Sequence, residues 1–455
     1  MEIVSICQKP GAARLLIVST FKTRCGMASH TEVLISHLSD SYSIDVFPLD
    51  QVVLRSRDRR AVEAGNRAIR QMCRQMVDYD AVILQWEPGF WGVTSALIIK
   101  RVKMFTESVH RLIMVTHTVM PESAVLNYTS IKSVANESGV SAAFGYVKEA
   151  ISGLYSRLYN CFRAVDRRGE LTVIAHTRRD RRFLEIVVGF SDVRDHPLFH
   201  MQSQWKDTIE ADVKAARHNL EENYGKDSVF VSTFGFLTAH KSFETAVTAM
   251  RFLPKNYKLL IYGGIHPNSI VEREPINPYV KSLTAAATGN VGALMKYAPT
   301  GIRPPLAEDG AATNEAIKSI FYQNLPIDER IIFMGSPDDY GFAVAIGACD
   351  VAVLPYLEIG QSASGPASQI MELGVRLVST TARPFAELER LFPDRINMFD
   401  IGNYMQLAVA IKNSVAKPKH ESFALQPNSW TQREFYVNAI DDMVAKGGKS
   451  REVAA

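Results

Sequence analysis

The sequence predicts an α/β protein made of two doubly wound domains, and three observations support this. Short apolar runs with the length of buried strands alternate with longer helical patterns along most of the chain. The alternation weakens between about Ser191 and Lys226 and then restarts, which indicates two successive parallel sheets. The length of 455 residues also exceeds what one ordinary hydrophobic core contains. Two Rossmann-like domains in succession fit these observations best.

The first half contains five predicted strands. Each is mostly apolar without strict alternation, as expected for a parallel sheet covered on both faces. They are Leu15–Ser19, Ser43–Phe47, Ala81–Gln85, Arg111–Thr116 and Leu171–Ala175. Helical spacing of Val33, Leu34 and Leu38 predicts a helix after the first strand, and an amphipathic basic helix is predicted over Ala61–Met76. The first domain is therefore placed at residues 1–200.

The second half repeats the pattern after a polar connection placed at residues 201–228. Its predicted strands are Val229–Thr233, Lys258–Tyr262, Ile331–Met334, Val351–Leu354 and Leu377–Ser379. A stretch rich in Pro, Gly and Ala interrupts this half at about 266–323 and is interpreted as an insertion. The second domain is placed at residues 229–429, and a last helix is placed at about 430–448.

Composition excludes several classes of protein. A hydrophobic content of 47% and a charged content of 22% are typical of globular proteins, and a net charge of +3 does not indicate a nucleic-acid partner. The five scattered cysteines show neither a disulfide framework nor metal-ligand spacing. The sequence shows no signal peptide and no apolar run of membrane-spanning length, so a cytoplasmic location is expected. Neither half has a G-x-G-x-x-G fingerprint, and no cofactor is expected.

Two local features leave alternatives open. The arginine clusters Arg55–Arg60 and Arg178–Arg182 are either solvated helix faces or contacts for anionic lipid headgroups or an anionic acceptor, so peripheral membrane contact stays open. Asp338 and Asp339 are either an acidic metal pair or the start of a helix after a strand. The second interpretation is favoured, and no metal is expected.

The most informative segment runs from Cys349 to Thr380. It predicts a strand, a small-residue turn, a helix and a second strand, and ligands of open α/β sheets bind at such a strand-to-helix edge. Backbone N–H groups at Ser364 and Gly365 would attract phosphate at the helix start. The residues alone are equally consistent with a turn that uses small side chains only to reverse direction.

Other polar or aromatic groups follow predicted strands. Gly26 lies in the loop Thr23–Ser29, where glycine permits close approach of a ligand. Trp86, Glu87 and Trp91 lie in the loop Gln85–Gly92, and the tryptophans either pack in the core or stack on sugar rings. His117, and with less support His176, end strands and either bind a ligand or make structural hydrogen bonds. Lys241 lies near a helix start, where it either neutralises a diphosphate or is an ordinary surface lysine.

These motifs together resemble the family-four glycosyltransferases, which have the GT-B fold. The matching positions in the second half are Gly235, Leu237, Lys241, Asp350, Pro355, Tyr356, Ser364, Gly365, Gly374 and Thr380. In the first half, Gly26 falls on the family's Cys-Gly-Ile-Ala loop, and Gln85–Gly92 is similar to its Gln-x-Glu-x-Gly-x-Phe-Gly loop. The family also often has a histidine at the position of His117. The order is preserved from Gly26 to Thr380.

The sequence departs from the family pattern at four positions. Gln361 and Gln369 occupy the places of two glutamates eight positions apart, and Glu372 lies nearby in another register. Phe236 replaces the usual arginine, and Ser242 replaces the usual glycine. An amide forms hydrogen bonds with hydroxyl groups but does not carry the charge of a carboxylate.

The resemblance implies two domains that face each other across a cleft, with the last helix crossing back onto the first domain. It implies that the second domain binds a nucleotide-diphosphate sugar, UDP- or GDP-linked, and that a sugar is transferred with retention and without a metal. The implied catalytic residues are His117, Lys241 and Glu87. The implied donor-binding residues are Gly26, Gly235, Tyr356, Gln361, Ser364, Gly365 and Gln369, and Trp86 and Trp91 are the implied acceptor-binding residues.

The implied acceptor is a saccharide or glycoconjugate, as in cell-surface polysaccharide synthesis, with modified nucleic acid or a small metabolite as alternatives. The two glutamines also motivate a rival function, a catalytically idle subunit that binds a nucleotide sugar. A third hypothesis is that the protein is a sugar-nucleotide epimerase with the same fold. The aromatic loop around Trp86 and Trp91 favours an acceptor and hence transfer.

Overall fold

The computed structural model describes residues 1–119, 153–265, 329–359, 361–416 and 432–453, with single positions 132, 140, 279, 280, 283 and 287. The chain divides into two compact units. Unit 1 comprises Met1–Pro197 and Thr431–Ala455, and unit 2 comprises Leu198–Trp430. Apart from those single positions between 279 and 287, the insertion predicted at 266–323 lies outside the described residues.

Unit 1 is built on a seven-stranded sheet in the order β1-β3-β2-β4-β5-β6-β7. The strands are β1 (Val4–Cys7), β2 (Arg14–Ser19), β3 (Ser43–Pro48), β4 (Ala81–Trp86), β5 (Leu112–Thr116), β6 (Leu171–Ala175) and β7 (Val193–Asp195). All neighbouring pairs are parallel except β1 with β3. The five predicted strands are therefore confirmed, and the two short edge strands β1 and β7 were not predicted.

The helices of unit 1 cover both faces of this sheet, as parallel strands require. They are α1 (Gly26–Leu38), α2 (Gln51–Leu54), α3 (Arg59–Gln75), α4 (Ser95–Ser108), α5 (Leu154–Asp166) and α6 (Arg178–Arg182), which continues as a π-helical turn over Phe183–Val188. Side chains cap several of these helices. Asp50 accepts hydrogen bonds from the amides of Val52 and Val53 at the start of α2, and Asp58 accepts one from Ala61 in α3.

Arg101 ties three helices and a turn together inside unit 1. Its side chain is fully buried, and its guanidinium donates to Asn66 Oδ1 and to the carbonyl oxygens of Leu54 and Trp91, each at 2.8 Å. A further bond reaches the carbonyl of Val62 at 3.3 Å. Burial lowers the pKa of Arg101, yet its four hydrogen bonds compensate for the lost hydration. The planar fork of arginine is required because these acceptors lie on separate elements.

Unit 2 is built on a six-stranded, fully parallel sheet in the order β10-β9-β8-β11-β12-β13. The strands are β8 (Val229–Phe234), β9 (Tyr257–Tyr262), β10 (Ile331–Gly335), β11 (Val351–Leu354), β12 (Leu377–Thr380) and β13 (Ile396–Phe399). The first five confirm the predicted strands. The sixth was not predicted, because only two of its four residues are buried and its apolar signal is short.

The helices of unit 2 are α7 (Ile209–Tyr224), α8 (Phe243–Ala249), α9 (Asp339–Ala348), α10 (Gly365–Glu372), α11 (Arg383–Leu391) and α12 (Tyr404–Ala416). Helix α7 occupies most of residues 201–228, where the sequence placed a connection, and it belongs to unit 2. Only Ile209, Val213 and Leu220 of this helix are buried, so its long polar face hid the helical period. Asp338 caps α9, which confirms the helix start predicted there.

The last described helix, α13 (Gln432–Val453), belongs to unit 1. It buries Tyr436, Ala439, Ile440 and Met443. The hydroxyl of Tyr42 donates to Asp441 Oδ1 at 2.7 Å and so fixes the helix to the turn between α1 and β3. Of the helices within the described ranges, none is long and apolar enough to cross a membrane.

Replacement of Arg101 by lysine should destabilise unit 1 by about 2–4 kcal/mol. An ammonium group cannot reach acceptors on three elements, so buried carbonyls would lose their donors. Denaturant unfolding followed by circular dichroism measures the loss, and Lys100→Ala, at an exposed neighbouring position, is the matched control. An Arg101→Lys protein as stable as Lys100→Ala would contradict this role.

Candidate functional site

The strongest candidate site lies in unit 2, where two loops leave neighbouring strands. β8 and β11 pair in parallel, with Thr233 opposite Val353, so the loops that follow them begin at the same edge of the sheet. The first loop carries Gly235 and Lys241, and the second carries Tyr356 and leads to Ser364 and Gly365 at the start of α10. We call these five residues the lysine cradle. Sheet topology thus unites residues that are 130 positions apart in sequence.

Lys241 is the central residue of the lysine cradle. Only 8% of its surface is exposed, and its Nζ lies 3.6 Å from the centre of the Tyr356 ring. Within the described ranges, Nζ makes no hydrogen bond and no ion pair. Burial lowers the pKa of Lys241 to about 7. The ring face offsets part of the lost hydration, and an anion bound next to Nζ would restore the protonated form.

Backbone geometry requires glycine at positions 235 and 263. Gly235 has a φ of 122°, which other residues rarely adopt, and Lys241 Cε lies 3.4 Å, an ordinary contact distance, from the position a Cβ of Gly235 would take. The backbone at Gly263 lies so close to the backbone at Gly235 that a Cβ added to Gly263 would fall 1.8 Å from the Gly235 carbonyl oxygen. The match of Gly235 to the family pattern therefore has a physical cause in the closeness of these two chain segments.

Tyr356 connects the lysine to the start of α10. Its hydroxyl lies 3.2 Å from Ser364 Oγ, and its backbone carbonyl accepts a 2.8 Å hydrogen bond from Thr380 Oγ1. Ser364 is the N-cap of α10, where its Oγ accepts from the amide of Ala367. The amides of a helix start lack intrahelical acceptors and carry a partial positive charge. Lys241 and the start of α10 therefore bring positive potential to the same place.

His200 is a residue of this region that the sequence did not indicate. Its Nε2 lies 2.8 Å from the position a Cβ of Gly365 would occupy, so the imidazole packs directly against the first residue of α10. Its backbone amide donates to Glu372 Oε2 at 2.8 Å, and burial lowers the pKa of the ring to about 4. A neutral ring at the helix start leaves Lys241 as the titratable cation of the lysine cradle.

Two glutamines and two carboxylates lie in or near α10. Gln369 is 5% exposed on the helix, and Gln361 is half-buried and donates from Nε2 to the carbonyl of Ala363. Glu372 accepts from His200, and Asp350 accepts from the amide of Phe230 while pairing with Arg217 at 2.9 Å. Both carboxylates thus hold structure together, and neither replaces the glutamates that the family resemblance would place at Gln361 and Gln369.

Unit 1 has its own polar cluster at the carboxyl ends of β4, β5 and β6. The histidine cluster consists of Gln85 and the imidazoles of His30, His117 and His176, whose ring centres lie 5.0–5.9 Å apart. Gln85 Oε1 accepts from His30 Nδ1 at 3.2 Å and from His117 Nε2. Because a carbonyl oxygen only accepts, His30 Nδ1 and His117 Nε2 are the donors in these two contacts.

Trp86 and Trp91 were predicted as a possible stacking surface for an acceptor, and this prediction is wrong. They are 1% and 0% exposed, so no ring face is available to a ligand. The Trp86 ring meets Phe162 at 4.7 Å between centres, and the Trp91 ring meets Phe105 at 5.4 Å. Burying two large aromatic rings in the core beside a parallel sheet contributes more to the stability of the fold than leaving them exposed would.

Glu87 and Gly26 lie at the same sheet edge of unit 1 as the histidine cluster. Glu87 Oε1 accepts from the amide of Gly89 at 3.3 Å and so caps the turn Pro88–Trp91. Gly26 begins α1, and a Cβ added there would meet no atom within 4 Å. Packing in the described structure therefore does not require glycine at position 26. Asp338, the other acidic candidate, accepts from the amide of Gly341 at 2.7 Å.

No group of three His, Cys, Asp or Glu side chains in the described part of the chain has an arrangement that could hold a metal ion.

Several solved glycosyltransferases resemble this chain along almost its whole length. HepE from Anabaena, in complex with UDP and glucose, is 13% identical, with a TM-score of 0.54, over 96% of this chain and 100% of that chain. A UDP-forming α,α-trehalose-phosphate synthase from Burkholderia xenovorans, in complex with glucose 6-phosphate, is 12% identical, with a TM-score of 0.54, over 97% and 100%. Sucrose-phosphate synthase from Thermosynechococcus elongatus is 13% identical, with a TM-score of 0.51, over 97% and 99%.

These likenesses concern the fold, and they confirm the predicted GT-B architecture of two Rossmann-like domains. No protein-family model matches the sequence, and no curated protein matches it either. At such low identities, the function must be argued from the residues of this chain.

Replacement of Lys241 by methionine should change how stability depends on pH. The folded pKa near 7 lies below the unfolded value of 10.5, so above pH 7 the unfolded chain binds a proton that the folded chain has released. The stability contributed by Lys241 therefore rises between pH 7 and 10.5, by up to about 1.4 kcal/mol per pH unit. The difference in unfolding free energy between wild type and Lys241→Met should follow that slope.

Denaturant titrations at several pH values measure this difference. Lys255→Met, which changes an exposed lysine of the same unit, should leave the pH dependence unaltered. A Lys241→Met difference that stays flat from pH 7 to 10.5 would show that Lys241 remains hydrated in the folded protein.

Proposed function

We propose that this protein is a glycosyltransferase that moves a sugar from a nucleotide-diphosphate sugar to an acceptor hydroxyl. The observation that carries the proposal is Lys241, a buried ammonium group without an anionic partner among the described residues, held over Tyr356 beside the start of α10. A diphosphate supplies the charge that this arrangement lacks. The whole-length likeness to proteins named as glycosyltransferases supports the same class of reaction.

The lysine cradle would act mainly on the leaving group. Cleavage of the bond between the sugar and the diphosphate leaves additional negative charge on the phosphate oxygens. A preorganised cation and the amides of a helix start stabilise that charge without rearrangement, and such electrostatic stabilisation is often the largest catalytic contribution. Lys241 is already fixed by the Tyr356 ring, and Ser364 fixes the first turn of α10. Gly235 keeps the space beside the lysine stem free of a side chain.

A UDP-sugar is the first donor to test. HepE has been solved with UDP and with UDP-glucose, and the trehalose-phosphate synthase is named UDP-forming. Gln361 and Gln369 in this proposal form hydrogen bonds with hydroxyl groups of the ribose or the sugar. A GDP-sugar is the alternative donor. A thermal-shift series over UDP-, GDP-, ADP- and TDP-sugars selects the base, since a ligand at 100 times its Kd stabilises the folded state by about 2.7 kcal/mol.

Unit 1 in this proposal contributes His117 and Glu87 to the sugar and the acceptor. The contact with Gln85 orients the His117 ring, which in this proposal contacts a hydroxyl of the transferred sugar. Glu87 contacts an acceptor hydroxyl, and Gly26 lets the ligand approach the backbone at the start of α1. We also propose retention of anomeric configuration, independence from metals, a cytoplasmic location, and a saccharide or glycoconjugate acceptor as in polysaccharide synthesis.

The glutamines favour one rival function, a nucleotide-sugar-binding subunit without transferase activity. Amides occupy both positions, and the two nearby carboxylates, Asp350 and Glu372, already serve structural contacts. Such a subunit would bind the donor but neither hydrolyse it nor transfer its sugar to any acceptor. Donor hydrolysis measured by nucleotide release distinguishes the two functions, and analysis of the sugar product separates a transferase from an epimerase.

Lys241→Ala should weaken binding of UDP or the matching nucleoside diphosphate about 10- to 150-fold. A charge-assisted hydrogen bond contributes roughly 1.5–3 kcal/mol, and this variant removes it without touching the core of the sheet. Isothermal titration calorimetry measures the change, with Lys255→Ala as the matched exposed lysine. Equal affinities of the two variants would remove Lys241 from the donor site.

Activity should survive removal of divalent metals by EDTA. Lys241 and the backbone amide of Gly365 at the start of α10 serve the diphosphate in this proposal, so a metal is not needed to neutralise it. Donor hydrolysis with and without EDTA, followed by addition of manganese or magnesium, tests this. Loss of activity in EDTA and its recovery on adding metal would show that the diphosphate is held by a different arrangement.

A further inference from the structure

We propose that α6 and the π-helical turn after it form a docking surface for an anionic lipid bilayer. The docking stripe consists of Arg178, Arg179, Arg182, Ile186 and Val187, all of them exposed. The proposal concerns where the protein acts and does not rest on its being a glycosyltransferase. It is carried by the orientation of these side chains, by their lack of partners, and by their chemistry.

The inward face of this segment fixes its orientation. Thr177 caps α6 by accepting a 3.0 Å hydrogen bond from the amide of Asp180, and Asp180 itself is 2% exposed. Leu184 and Val188 belong to the hydrophobic core of unit 1. Gly189, with a φ of 80°, ends the turn. These contacts anchor the segment on the sheet, so its other face is held rigidly toward solvent.

The outward face combines cations with aliphatic side chains. Residues four apart on a helix are neighbours, so Arg178, Arg182 and Ile186 follow one another along one line. Arg179 and Val187 flank it. Ile186 is 77% exposed and Val187 is 61% exposed. Leaving this much aliphatic surface in water costs free energy. The structure therefore presents apolar groups and positive charges side by side on one rigid surface.

The arginines of the docking stripe are available for a partner. Arg181, which lies between them in sequence, pairs with Asp195 at 2.7 Å and with Glu185 at 3.5 Å. Arg178, Arg179 and Arg182 have no ion pair or side-chain hydrogen bond with any residue the structure describes. Four arginines in five residues thus divide into one that stabilises the fold and three whose charge is directed outward.

The combination fits the bilayer interface better than the other anionic surfaces. Anionic headgroups attract arginine, and aliphatic side chains enter the headgroup and acyl boundary by about 5–10 Å. Nucleic acid offers phosphates, but its bases stack on aromatic rings, and none of the docking-stripe side chains is aromatic. Unit 1 has 30 Lys and Arg against 24 Asp and Glu, a surplus of six, whereas the whole chain has a surplus of three. The longer-range field of unit 1 therefore also favours an anionic surface.

Co-sedimentation with lipid vesicles tests the proposal. The full-length protein is mixed with vesicles of phosphatidylcholine alone or of phosphatidylcholine with phosphatidylglycerol, at low and physiological salt. We expect binding to the anionic vesicles only, weakened by salt because the charges are exposed. Arg178→Ala/Arg179→Ala/Arg182→Ala should lower the partition coefficient on the order of 100-fold. Ile186→Ser/Val187→Ser should lower it roughly tenfold at unchanged charge.

Two matched controls separate the docking stripe from general charge and hydrophobicity. Lys226→Ala/Arg251→Ala/Lys255→Ala removes three exposed cations of unit 2. Met405→Ser/Val409→Ser removes two apolar side chains of unit 2 that are 58% and 56% exposed. Neither control should reduce binding by more than about twofold. Circular dichroism and thermal unfolding establish that every variant is folded.

Three results would overturn the proposal. The first is that wild type ignores anionic vesicles at low salt. The second is that the docking-stripe variants bind vesicles as well as their controls do. The third is retention of wild type on immobilised polyglutamate or duplex DNA through the docking-stripe arginines, without vesicle binding, which would assign the docking stripe to another partner.

Discussion

The candidate site depends on one constraint, a buried lysine ammonium group that has no anionic partner among the residues the structure describes. Lys241 reaches into unit 2 beneath the edge of the sheet, and the described structure offers its ammonium group only the face of Tyr356. Burying a lysine this way costs free energy, and the depressed pKa near 7 reflects that cost. A fold keeps such a group when a ligand supplies the missing charge, which is why strongly perturbed pKa values concentrate at functional sites.

The neighbouring residues keep the place beside the ammonium group organised and open. Gly235 adopts a conformation that side chains rarely allow, and it leaves room for the stem of Lys241. Tyr356 is held by Thr380 and meets Ser364, so the lysine and the first turn of α10 share one support. His200 packs on the helix start in a neutral form and adds no charge there. A dianionic diphosphate would therefore meet one positioned cation and the backbone amide of Gly365, since Pro366 has no N–H and the Ala367 amide already donates to Ser364 Oγ.

The sequence predicted the ten main strands well, because parallel strands buried on both faces are continuous apolar runs. It missed β1, β7 and β13, which are short edge strands with mixed burial, and it read α7 as a connection because only three of its residues face the core. Lys241 and Ser364 were found from their places at helix starts after strands, and Tyr356 was found through the resemblance to the glycosyltransferase family. His200, His30 and Gln85 were missed, since their importance comes from contacts with distant residues such as Gly365 and His117. The burial of both tryptophans could not be read from the loop, because aromatic residues suit either a core or a binding surface.

The pKa of Lys241 is the most direct measure of the central claim. Nuclear magnetic resonance of protein with isotope-labelled lysine, assigned by comparison with Lys241→Arg, follows the Cε and Nζ signals during a pH titration. We expect a pKa of about 7 for Lys241 in the free protein and a pKa at least about two units higher when UDP is bound, because an adjacent phosphate favours the charged ammonium. A pKa near the ordinary value of 10.5 in the free protein, or one that UDP leaves unchanged, would contradict it.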